Sequence, residues 1–236
     1  MVEIMNNLFR NMLAKVGGIL VPALVLVIGA VSTANAALML RLDDPTTAVI
    51  EVTVTDQGAG DMNPTAGVIV FMGPVGAFNI NVSTGVNNTT LGSALIPSLD
   101  LNSIDITMGI GVGSLDVYLT DTGFGGLGPA IMAIGGVTAG NVTYSAWADG
   151  SNVAFAMGNP LGILGPFSGA FSATAGTVGL AASSAPYSLT QRVSIVHSAA
   201  GATSFNATLV VPEPGTLALL GLALVGVAVF ARRRTV

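Results

Sequence analysis

The chain has 236 residues, 51% of them apolar and only 8% charged, with 31 glycines, 11 prolines and no cysteine, so disulfides, zinc–thiolate sites and cysteine nucleophiles are excluded. Between Ala37 and Val211 the cations are Arg41 and Arg192 alone, against ten acids (Asp43, Asp44, Glu51, Asp56, Asp61, Asp100, Asp105, Asp116, Asp121 and Asp149), and two minus ten leaves this stretch near −8. Phosphate backbones are repelled by such a body, which argues against nucleic-acid partners.

Met1–Ala36 has the three parts of a secretory signal. Arg10 and Lys15 supply the positive start, Val16–Val31 is an uncharged apolar run, and Ala34-Asn35-Ala36 places small residues where signal peptidase needs them. Cleavage is expected between Ala36 and Ala37. As a helix the apolar run would be roughly 24 Å long, short of a bilayer core of about 30 Å, which favours a removed signal over a retained anchor.

From Ala37 to Val211 alternation of apolar and polar residues dominates over helical periodicity. The pattern predicts strands over Leu38–Leu42, Ala48–Thr55, Gly67–Met72, Phe78–Val82, Ser103–Met108, Leu115–Thr120, Asn141–Ala148, Thr177–Ala181, Tyr187–Val196 and Ser204–Val210. Gln57–Pro64 and Gly158–Pro166 read as turn-rich connections. No fixed-period repeat emerges, so a solenoid or propeller is disfavoured. The expectation is an all-β mature domain over 37–211, a two-sheet antiparallel sandwich of jelly-roll or immunoglobulin-like topology.

Candidate chemistry in this body is sparse. Gly123, Gly125 and Gly128 fit the spacing of a dinucleotide fingerprint, with Asp149 downstream, but the residues that follow are too few for the crossover helix; a turn is expected. His197 closes a strand with no G-x-S-x-G or other triad motif in the chain, and reads as a strand-end residue. The aspartates are numerous enough for a glycan hydrolase, yet no spacing favours one pair. Asp56, Asp61 and Asn63 crowd one loop, with Asp43 and Asp44 upstream, and are the calcium candidates; the default is a solvated acidic loop. Tyr144 and Trp147, three residues apart on a strand, should face opposite sides, and core packing is favoured over a sugar platform. Asn-x-Ser/Thr triplets begin at Asn81, Asn87, Asn88, Asn141 and Asn206. No cofactor and no catalytic residue is expected.

The chain closes with Val211–Val236, VPEPGTLALLGLALVGVAVFARRRTV. Pro212 and Pro214 hold Glu213 extended, the form a protease cleft accepts. Leu217–Ala231 is apolar enough to insert as a transmembrane helix, with Arg232, Arg233 and Arg234 as its cytoplasmic stop. Motif, following Gly215-Thr216, helix and arginines resemble the PEP-CTERM sorting signal. The resemblance implies recognition at 212–236 by exosortase, a membrane-embedded cysteine transpeptidase, and removal of the tail. It further implies a Gram-negative host making exopolysaccharide, transient residence in the inner membrane, and delivery to the cell surface or biofilm matrix. A non-enzymatic matrix protein is thus the expectation, with an aspartate-dependent extracellular glycan hydrolase as the alternative.

Overall fold

The computed structural model describes residues 38–87, 93, 96–109, 111–125, 128–176 and 185–212. Ten strands account for most of them: β1 (Met39–Asp43), β2 (Val52–Thr55), β3 (Val68–Val75), β4 (Phe78–Val86), β5 (Ser98–Met108), β6 (Gly113–Phe124), β7 (Ile131–Asp149), β8 (Asn159–Gly176), β9 (Tyr187–His197) and β10 (Gly201–Val210). Every pairing is antiparallel. The all-β class therefore stands.

The hydrogen-bonded order runs unbroken as β2-β1-β6-β9-β7-β10-β5-β4-β3, with β8 on β7. Two separate sheets are not what the ladder draws. Instead β7 carries both halves. Its first part, Ile131–Thr138, pairs with β10, and its second part, Asn141–Asp149, pairs with β9. β8 follows nearly the whole of β7, with register shifts around Thr138, Val142 and Ala146. A strand offers only two edges, so β9 and β10 share one edge of β7 end to end, and a half-sheet grows from each. Register irregularities of this kind, with Gly140 inside the shift between Thr138 and Val142, let a long strand change direction.

The two halves then cover each other. Leu119 of β6 lies directly against Gly85 of β4, and Phe78 and Met108 close around Gly113. Alternation decides which side chains go in: Leu115, Val117 and Leu119 of β6, Leu189, Val193 and Ile195 of β9, and Phe205, Ala207 and Leu209 of β10 are buried in one core with Tyr144, Tyr187, Phe78 and Phe124.

Two expectations change. Asn159–Pro166, all but the first residue of the expected Gly158–Pro166 connection, is the first half of β8 and not a turn. Glycine and proline are tolerated there because β8 is bonded only to β7, so a missing N–H need not break a second ladder. The second strand is shorter than Ala48–Thr55, because Glu51 accepts bonds from the Asp44 amide at 2.6 Å and the Thr47 hydroxyl at 2.6 Å, tying that stretch into a turn. Thr177–Ala181 lies outside the described residues.

Candidate functional site

The site is on the outer face of β1, β6, β9 and the second half of β7. Because Leu40 and Leu42, Val117 and Leu119, and Val193 point into the core, their sequence neighbours must point out. Register aligns those neighbours in one row across four strands: Arg41 opposite Tyr118, Tyr118 opposite Arg192, Arg192 opposite Ser145. Strands separated by about 4.8 Å bring such side chains into contact.

The contact is a cluster of two cations and three rings. The Arg41 guanidinium lies 4.2 Å from the Tyr118 ring centre and 4.5 Å from that of Phe155. Arg192 lies 5.9 Å from Tyr118 and 5.3 Å from Trp147. Each cation thus touches two rings, and those at Arg41 stand perpendicular to each other, 6.4 Å between centres; each cation–ring pair is worth about 0.5–2 kcal/mol depending on desolvation. Tyr118 is buried, while the two arginines, Trp147 and Phe155 are half-buried.

Phe155 arrives from the loop joining β7 and β8, which is pinned to the sheet. Asn152 Oδ1 accepts from the Gly123 amide at 2.8 Å, and the Phe155 amide donates to Thr120 Oγ1 at 3.1 Å. Both Asn152 and Phe155 hold left-handed φ values, 57° and 60°, which non-glycine residues adopt only when the surroundings enforce them. Asp149 closes the loop base by accepting from the Ser151 amide at 2.7 Å and the Gly158 amide at 2.9 Å. These contacts, led by the Ser151 hydroxyl, hold its carboxyl below the usual range.

Beneath the cluster, Tyr118 donates to Asp116 Oδ2 at 3.1 Å, and Arg192 Nη1 stands 3.5 Å from the same oxygen. Arg41 makes no ion pair with any described residue. Asp43, opposite Asp116 in the ladder, has its carboxyl raised first by burial and then by Glu51, with Arg41 opposing. Eight buried side-chain polar atoms lack a hydrogen-bond partner among the described residues, and four of them gather here: Arg41 Nε, Arg192 Nε, Asp116 Oδ1 and Ser145 Oγ. Buried polar atoms are normally satisfied, so their concentration sets this face apart.

A family model for the PEP-CTERM protein-sorting motif matches residues 210–234. The chain carries a PEP-CTERM sorting motif. That motif implies an exosortase-targeted, exported protein with transient membrane anchoring before processing. No curated protein matches the chain.

The PEP-CTERM segment begins where the body ends. β10 closes at Val210, buried Val211 donates its amide to the Pro97 carbonyl at 2.9 Å, and Pro212 is the last described residue. Glu213, Pro214, Gly215, Thr216 and the stop arginines Arg232, Arg233 and Arg234 lie outside the described residues, as do Ala34, Ala36 and Ala37 at the expected signal cleavage site. Among the described residues no helix is long and apolar enough to cross a membrane.

The remaining candidates separate. Asp61 accepts from the amides of Gln57, Asn63 and Val70 at 2.9, 2.9 and 3.0 Å, Asn63 from Thr65 at 2.8 Å, and Asp56 from Gly67 at 2.8 Å. Most of the oxygens offered as calcium ligands therefore hold the β2–β3 loop together. Among the described residues no three acidic or histidine side chains are grouped as a metal would require. Gly123 is within β6, and the chain after Gly128 enters β7 in place of a helix, which removes the phosphate cradle. His197 ends β9, buried, with Nε2 2.8 Å from Thr203 Oγ1, and burial pushes its pKa down. Tyr144 and Trp147 do face opposite sides; Tyr144 is in the core, but Trp147 lies on the outer face against Arg192, not in the core.

Sequence reasoning missed Arg41, Tyr118, Arg192 and Phe155. Their only sequence signal is scarcity, since two of the four are the sole cations of the body.

Proposed function

We propose that this chain is a non-enzymatic PEP-CTERM protein that is exported, processed by exosortase, and retained at the cell surface or in the extracellular matrix through association with exopolysaccharide. The single observation that carries this reading is the PEP-CTERM motif at 210–234 following directly on the last strand of an acidic, strand-built body. In this reading Met1–Ala36 is removed by signal peptidase, and Leu217–Ala231 spans the inner membrane as a helix with Arg232–Arg234 in the cytoplasm. Exosortase then cuts at the Pro212–Thr216 segment. The body in between supplies two half-sheets that cover each other and an outer face for contact.

Replacing Pro212, Glu213 and Pro214 together by alanine tests it in the native host. The unaltered chain should lose its tail by intact-mass measurement and partition to the surface or matrix fraction. The triple variant should keep residues up to Val236 and stay in the inner membrane. Identical masses and fractions for the two chains, or an uncut soluble chain in the cytoplasm, would refute the proposal.

A further inference from the structure

We propose that the outer edge of β8 is a homodimer interface, on which a second copy of this chain pairs its own β8, antiparallel and across a two-fold axis, over residues 169–176. The ladder has three terminal strands, β2, β3 and β8. An exposed strand edge invites another strand, and proteins guard such edges by shortness, proline, charge or a covering segment. β2 has only four residues. β3 carries Pro74 and a register shift between Phe71 and Gly73. The loop before it also closes over its edge, where the Val70 amide donates to Asp61 Oδ1 at 3.0 Å and the Val70 carbonyl accepts from the Met62 amide at 2.9 Å. β8 has prolines at 160 and 166, but over 169–176 it has no proline, no charged residue and no register shift against β7. Among the described residues its only strand partner is β7, and no side chain caps the other side of that stretch. A Cβ added at Gly169 or Gly176 would meet no atom within 4 Å, so the edge is open at both ends.

Charge and symmetry point to a second copy as the occupant. Residues 150–191, which include all of β8, hold no charged side chain, although the body around them is acidic. A charged partner finds no counter-charge along this edge, whereas a second copy brings the same uncharged edge and keeps its acids away from the contact. Asp100 shares a row with β8, aligned through Thr208 and Ala133 with Thr174. Three strand spacings set it about 14 Å away, beyond a Debye length of about 8 Å at physiological salt. Asp149 stands at the other end of β8, where its carboxylate accepts from the Ser151 and Gly158 amides. In a two-fold antiparallel pair, opposed residues share a face. With the axis at Ala173, Phe171 meets the partner's Ala175 and Ser172 the partner's Thr174; with the axis at Ser172, Phe171 meets the partner's Ala173. Either register sets the one large ring against a small side chain. The half-buried Phe171 ring, stacked on Phe167 with centres 5.1 Å apart, supplies apolar surface that backbone pairing alone would lack. Paired over that stretch, the two edges form about eight hydrogen bonds. Each copy offers one such edge, so the pair closes as a dimer and does not grow.

The test weighs the full chain in mild, density-matched detergent by sedimentation over a wide range of concentration, where twice the mass of one chain is expected at the upper end. The chain has no cysteine, so a single introduced thiol can form a disulfide only with that of a second copy. Opposed Cα atoms of an antiparallel pair lie about 4.5–5.5 Å apart, within disulfide reach. Of Ser172→Cys and Ala173→Cys, the one on the axis should therefore cross-link under mild oxidation, while Met72→Cys, exposed on β3, should not. Ser172→Lys with Thr174→Lys, both at exposed positions, sets like charges against each other across the axis. The pair should raise the dimer dissociation constant roughly tenfold or more and leave the urea midpoint of the monomer unchanged. Should the lysine pair fail to fold, the cysteine comparison still decides. Monomer alone at every concentration overturns the proposal. A dimer that the lysines leave intact, one that neither thiol on β8 cross-links, or one that Met72→Cys cross-links as readily, overturns the assignment to β8. Species that grow past the dimer overturn the two-fold closure.

Discussion

Tyr144→Phe removes one oxygen from the middle of the core. The Tyr144 hydroxyl stands 2.8 Å from the Gln191 side-chain amide and 3.0 Å from the Thr208 carbonyl, joining β7 to β9 and to β10. A phenol has a single proton. That proton is shared between two acceptors, Gln191 Oε1 and the Thr208 carbonyl oxygen. Gln191 is fully buried and its other amide atom already lacks a partner, so without the hydroxyl its whole amide is orphaned. Stranding a buried amide and a carbonyl should cost about 2–3 kcal/mol, since each unsatisfied group costs about 1–3. For a body of this size that lowers Tm by roughly 5–10 °C. Removing both partners avoids the penalty: Tyr144→Phe with Gln191→Leu should lie within about 1 kcal/mol of the unaltered chain. Urea unfolding followed by tryptophan fluorescence gives the cycle. A double variant as unstable as Tyr144→Phe alone would refute the reasoning, as would a single variant indistinguishable from the parent.

Three further outcomes follow from individual environments. Asp100 is partly buried on β5 with Oδ1 unpartnered, and burial raises its pKa; the neutral acid is the form the fold prefers, so stability is full below the ordinary carboxylate value and is lost as pH rises through the folded one. Asp100→Asn should therefore raise the urea midpoint near neutral pH, with the gain vanishing in acid. His197 shifts the opposite way, its depressed pKa meaning that stability is present above the ordinary histidine value of about 6.5 and declines as pH falls through the folded value. His197→Gln should flatten the unfolding midpoint against pH across that window. Gly136→Ala would set a Cβ on the Ser204 carbonyl oxygen, with Phe205 Cα at 2.9 Å, so the paired backbone of β10 must move and about 2–4 kcal/mol should be lost. Gly135→Ala, whose nearest neighbour is at 3.6 Å, should be tolerated within about 0.5 kcal/mol in the same measurement.

The sequence by itself determined what depends on local chemistry. Absent cysteines excluded thiol chemistry, and strict alternation as in Leu115–Thr120 predicted strands without knowledge of their partners. The Pro212-Glu213-Pro214 motif with its apolar tail and arginines was readable because a sorting signal is a contiguous peptide. Only the tertiary structure decided what depends on pairing. Asn159–Pro166 became a strand because a neighbour with one free edge lay alongside it, overriding its turn composition. Tyr144 was placed in the core and Trp147 outside it by which half of the sheet folded over which face. Arg41, Tyr118, Arg192 and Phe155 are far apart in the chain, and no spacing rule links them. Register between β1, β6 and β9 brought the first three into line, and a loop held in left-handed conformation carried the fourth over them. Alternation says which residues share a face of one strand, but hydrogen-bond register alone says which strands stand side by side.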